Sequence, residues 1–120
     1  MTDSPRNAAG TDNTPVGRIA SSSLGELADA VAAAARSVPG VADLHTGVFG
    51  EVATYLPGRR VNGVRIREDV TEVHLTLIWG APVLPTAEEV RRVVAALVTT
   101  RVDITVEDVV APRSAREPEA

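Results

Sequence analysis

Cysteine and lysine are both missing from this 120-residue chain, and Phe, Trp and Tyr occur once each. Without cysteine there can be no disulfide, thiolate zinc site, iron–sulfur ligation or cysteine nucleophile, which suits a reducing compartment. Three aromatics are too few for the stacked platforms on which single-stranded nucleic acids bind. All twelve cationic residues are arginine and the formal net charge is -4. Exclusive use of arginine, with abundant alanine and valine, is explained most simply by a GC-rich coding bias. The acidic balance argues against nucleic acid as the main partner, because phosphate binding depends on clustered cations and counterion release. No segment approaches the roughly 18 to 20 apolar residues that a spanning helix needs, and no charged start leads into a signal-like apolar run. A cytoplasmic chain that does not itself insert into the membrane is therefore expected.

What the chain does have is an uninterrupted β-α-β pattern from Val70 to Val110. In Val70–Trp79, residues Val73, Leu75, Leu77 and Trp79 share one face, while Glu72, His74 and Thr76 share the other, which predicts a half-buried strand with Trp79 inward. Gly80, Pro82 and Pro85 stop it, and Thr86 stands three residues before Glu89, the spacing of a capping box. Val90, Val93, Val94, Leu97 and Val98 then form a helical stripe, with Glu88 spaced to pair with Arg92. Val102, Ile104 and Val106 alternate with polar residues, and a right-handed crossover lays this last strand parallel to the first.

Upstream, residues 1–15 and 111–120 are polar and Pro-containing, with too little buriable surface to offset the entropy of ordering, and are read as disordered tails around a single domain, 16–110. Val16–Ala20 reads as a short edge strand. Ser23 and Glu26 form a second capping box, and the stripe Leu24, Leu27, Ala28, Val31, Ala34, Ala35 and Val38 predicts a helix over 24–37, closed by Pro39-Gly40. A short strand follows over 41–46, a helical turn over 51–56, a loop at Arg59-Arg60 and a strand over 61–67, with Val64 and Ile66 inward. The order (β)-α-β-β-β-α-β predicts an α+β two-layer sandwich, with two helices on one face of a mixed, mostly antiparallel sheet.

Catalytic chemistry is not legible in this pattern. His45 and His74 lack any His-x-x-x-His or Glu-x-x-His spacing, so both read as solvated histidines. Ser21-Ser22-Ser23 has no surrounding nucleophile elbow, and Ser23 is accounted for by capping. Gly47-Val48-Phe49-Gly50 does not run from a strand into a capped helix and is not a phosphate-binding loop. No catalytic residue, cofactor or metal is expected, and the chain is read as not being an enzyme.

One cluster is a candidate for protein interaction: Phe49, Tyr55, Arg59, Arg60, Arg65 and Arg67, because aromatics and arginine are enriched at interface hot spots. A solvated face with counter-charges at Glu68, Asp69 and Glu72 is the plainer account of the arginines.

Several local strings, in this order, resemble the alkaline shock protein family, the bacterial envelope stress response family. They are Gly17-Arg18-Ile19, the helix ending Val38-Pro39-Gly40-Val41, the Gly47–Gly50 loop, Gly58-Arg59-Arg60, Gly63-Val64-Arg65-Ile66, and Ile78-Trp79-Gly80 with its Pro-containing turn, helix and valine-rich strand. The likeness spans Val16 to Val110. It implies a non-enzymatic cytoplasmic protein that self-associates, is held near the cytoplasmic membrane by a membrane-anchored protein partner, and serves cell-envelope homeostasis. The chain departs from the family in lacking lysine, in the entry segment Ser21-Ser22-Ser23, and in its Arg- and Pro-rich tail. A small-ligand regulatory module of ferredoxin-like type is the alternative, since helix-Val-Pro-Gly-Val-strand also occurs there. The absent Cys-x-x-Cys removes metal transfer from that alternative.

Overall fold

The computed structural model describes residues 16–112, with side chains from residue 23 onward, so the predicted tail at 1–15, and all but the first two residues of the one at 111–120, lie outside the described residues. Its elements are α1 (Val16–Arg36), β1 (Val41–Leu44), β2 (Ala53–Leu56), β3 (Arg59–Asn62), β4 (Val64–Ile66), β5 (Val70–Ile78), α2 (Val83–Ala95) and β6 (Arg101–Val110). The class is α+β, with helices packed on a mostly antiparallel sheet.

β5 organises the sheet. β6 runs parallel to it along its whole length, as the crossover requires. On the other edge, β4 pairs antiparallel with the first half of β5, and β1 with the second half. The two short strands meet at His74, whose carbonyl accepts from the His45 N–H at 2.8 Å and whose own N–H donates to the Gly63 carbonyl at 3.0 Å. Val73, Leu75 and Leu77 point into the core and are fully buried, against Ala28, Val31 and Ala35 of α1 and Val90 and Val94 of α2. Alanine lets α1 approach the sheet closely, while valine and leucine supply most of the apolar area removed from water.

β2 and β3 form a separate two-stranded sheet. It is tied to the main layer by the Thr54 hydroxyl, which donates to the Val64 carbonyl at 2.6 Å. Gly63 joins the two sheets: at φ +83 it turns the chain between β3 and β4. Its N–H donates to the Val52 carbonyl at 2.8 Å while its carbonyl takes the His74 N–H, so both of its polar backbone groups are used.

Several local expectations are corrected. Val16–Ala20 is the start of α1 rather than an edge strand, and Ser23 therefore lies inside the helix, where it caps nothing. Tertiary packing along the apolar stripe outweighs the weak helix propensity of Gly17 and Ser21–Ser23. Residues 53–56 are strand β2, not a helical turn, and Arg59-Arg60 lie in β3, not in a loop. The predicted strand 61–67 is broken at Gly63.

The second helix begins at Val83 with Pro82 as N-cap, four residues before the expected cap at Thr86. Pro85 is tolerated there because N–H groups in a first turn have no intrahelical acceptor. Thr86 is buried, and its N–H donates to the Pro82 carbonyl, so the predicted capping box does not form. Arg92 pairs with Glu89 rather than Glu88, and Glu88 pairs with Arg91. The helix also stops at Ala95, which leaves Leu97 beyond its end and 41 % exposed.

The hydrogen bond from Arg92 holds the Glu89 carboxyl below the usual carboxylate range, against an opposing contribution from desolvation, and the charge of Arg92 adds to the lowering. A depressed folded-state value means that this pair's contribution to stability is present at neutral pH and is lost as pH falls through that value. In an NMR titration, Glu89 is expected to protonate at lower pH in the parent chain than in Arg92→Ala, which lacks the hydrogen-bond donor and the charge. Coincident titration of Glu89 in the two proteins would contradict the pairing.

Candidate protein-interaction surface

The structure disperses the arginine cluster that the sequence groups together. Arg59 faces α1 and grips Asp29 through two bonds, Nη1 to Oδ1 at 3.2 Å and Nη2 to Oδ2 at 3.0 Å. That bonding, with the carboxylate's charge, raises the Arg59 pKa further. Arg65 donates to the Glu51 carbonyl at 2.7 Å and lies 4.0 Å from Glu72, which Arg67 also approaches, at 3.6 Å. Three of the four guanidiniums are thus committed within the chain. Arg60 has no ion-pair partner among the described residues, and it stands directly opposite Tyr55 on the outward face of the hairpin. Phe49 is 89 % exposed at the tip of a tight turn closed by the Gly50 N–H donating to the Gly47 carbonyl. Among the described residues, Phe49, Tyr55 and Arg60 are therefore the exposed members of the cluster that no intrachain ion pair engages.

A larger apolar surface lies where the sequence places core. Trp79, expected inward by alternation, is 73 % exposed, because β5 ends at Ile78 and the chain turns at once through Gly80. The Trp79 backbone is held by its N–H donating to the Val110 carbonyl at 2.7 Å, and the Ala81 N–H closes the turn on the Ile78 carbonyl. Val83 and Val109, which line a groove with Trp79, are also exposed, and so is Leu84 of α2, at 75 %. Trp79, Gly80, Ala81, Val83 and Val109 line a groove of about 310 Å³. A second groove, of about 450 Å³, lies between the end of α1 and the start of α2, lined by Val38, Pro39, Pro82, Pro85, Thr86 and Glu89. The one readable signal in the sequence was a tryptophan directly before Gly80-Ala81-Pro82, where a strand has no room to continue.

The outer face of the sheet is more ordered than a solvated face would be. His74 Nδ1 and Glu107 Oε2 are 2.6 Å apart, with side chains only 15 % and 16 % exposed. An ionised carboxylate only accepts, so Nδ1–H is the donor. His74 is thus a partnered strand residue, correcting the reading of it as solvated. Glu107 sits at a bulge, where β6 slips by one residue between Val106 and Asp108. His45 Nδ1 accepts from the Gly47 N–H at 2.9 Å, a bond that shapes the turn carrying Phe49. Among the described residues, no three His, Asp or Glu side chains converge as a metal site would require, and no helix is long and apolar enough to cross a membrane.

Comparison with protein-family models, curated proteins and solved structures yields no match.

Proposed function

We propose that this chain is a non-enzymatic interaction module of the alkaline shock protein type, which self-associates and is held at the cytoplasmic membrane by a membrane-anchored protein partner. The docking surface in this reading is the Trp79 patch rather than the arginine hairpin. The observation that carries it is the exposure of Trp79 together with Val83 and Val109, which line one apolar groove with it, near a second. Contiguous exposed apolar side chains mark interaction sites, and tryptophan is the residue most enriched among hot spots. The backbone around Trp79 is fixed by two hydrogen bonds, so presenting the indole requires little further ordering on binding.

The test is binding of the purified chain to inside-out vesicles of its own cell's cytoplasmic membrane. Saturable binding is expected, lost after protease treatment of the vesicles and weakened at least tenfold by Trp79→Ser, a hot-spot effect of about 1.4 kcal/mol or more. Because the side chain is mostly exposed, the variant's folding stability should stay within about 0.5 kcal/mol of the parent. Equal binding by Trp79→Ser, or undiminished binding to protein-free lipid vesicles, would overturn the proposal.

A further inference from the structure

β6 is ten residues long and, among the described residues, hydrogen-bonds to one neighbour only, β5, so it forms an edge of the main sheet. Edges of this length are ordinarily blunted by proline, by charges pointing inward or by a covering segment, because an unpaired row of N–H and C=O groups templates further pairing. From Arg101 to Glu107 there is no proline, and the core-facing positions are Val102, Ile104 and Val106, the last two half-buried at the margin of the core. Protection occurs at the other end. The Val110 carbonyl faces β5, where it accepts from Trp79, so the Val109 N–H faces away, and it is capped by Asp108 Oδ1 at 2.8 Å. The open stretch is therefore 101–107, ending at the bulge that holds Glu107.

We propose that this stretch pairs antiparallel with the same stretch of a second copy, about a twofold axis at Ile104, which extends the sheet across a homodimer. The inference rests on the self-association part of the reading above and supplies its surface. A twofold axis perpendicular to the sheet keeps the two core faces on one side, so opposed residues must share a face and the axis must pass through a residue. An axis at Thr105 sets Asp103 against Glu107 of the second copy. An axis at Asp103 sets that carboxylate against itself. Only the axis at Ile104 opposes Arg101 to Glu107, twice by symmetry, with Asp103 facing Thr105 and Val102 facing Val106; Glu107 bonds His74 through Oε2 alone, and the pair Arg101 makes with Asp103 of its own strand is exposed and can be exchanged. Opposite charges and apolar pairs directly across strands stabilise an antiparallel pairing, and like charges oppose it.

Sedimentation equilibrium of the full chain is expected to give a concentration-dependent dimer. Arg101→Glu, which sets a like charge against Glu107 at both symmetric positions of the interface, should raise the dissociation constant at least tenfold. Because the chain has no cysteine, Ile104→Cys supplies a second readout: under mild oxidation it should form a disulfide-linked dimer, since directly opposed residues lie within disulfide range. Tyr55→Cys, exposed on the separate hairpin, should not. A dimer that is insensitive to Arg101→Glu and not crosslinked at Ile104→Cys would overturn the edge pairing and leave self-association intact. A parent chain that stays monomeric at every concentration would overturn both, leaving the Trp79 partner test standing on its own.

Discussion

Gly63→Ala is expected to destabilise the fold by about 3 kcal/mol. Part of that cost is backbone: φ is +83, a region in which a side chain costs about 1–2 kcal/mol. The larger part is steric. A Cβ on Gly63 would stand 2.5 Å from Leu44 Cβ, and 3.3 Å from both the backbone N and O of His45. Neither neighbour is the end of a flexible chain, so β1 would have to shift away from β5, and overpacking of this kind adds about 1–3 kcal/mol. At about 4–8 °C per kcal/mol for a domain of this size, the melting temperature should fall by more than 10 °C. Gly58→Ala separates the two contributions, because its φ is +78 but nothing lies within 4 Å of the added Cβ. It should lose only the backbone part. Equal melting temperatures for Gly58→Ala and Gly63→Ala would show that the close approach to β1 is not structurally important.

Leu75→Ala is expected to cost about 3–4 kcal/mol, by the lost transfer free energy plus the cavity left behind. Leu75 is fully buried near the middle of β5, opposite Leu44 of β1 on one side and Val106 of β6 on the other. Those neighbours belong to strands on both edges of β5, so collapse into the vacated space would require both to move. The urea midpoint should fall with little change in slope, as for a loss of stability without a change in denatured-state compactness. Leu84→Ala removes the same atoms from a side chain that is 75 % exposed, and it should change stability by no more than about 0.5 kcal/mol. A Leu75→Ala midpoint indistinguishable from that of Leu84→Ala would contradict the central place given to β5.

Leu75 and Gly63 differ in how they can be read. The inward face of β5, the stripe of α1 and the parallel return of β6 follow from periodicities of two and 3.6, which record locally which side of an element is apolar. Gly63 sits in a stretch whose alternation suggests one strand from 61 to 67, and its role depends on Leu44, nineteen residues earlier in the chain. The arginine cluster fails for the same reason. Arg59, Arg60, Arg65 and Arg67 are close in sequence, but Asp29, Glu51 and Glu72 take three of them, and nothing local to the arginines indicates those pairings. The capping boxes at Ser23 and Thr86 are correct local signals overridden by helices that begin earlier to satisfy packing.

By itself, then, the sequence determined the α+β class, the β-α-β crossover and most of the residues that form the core, Trp79 and Leu97 excepted, because burial patterns are written at the spacing of each element. Tertiary structure alone decided which surfaces were left for a partner. Trp79 follows the inward alternation of β5, yet it becomes exposed because the strand stops one residue earlier, and that limit is set by the length over which β1 and β6 pair with β5. The open edge of β6 likewise follows from which strands lie beside it, a relation between distant segments that no local period encodes.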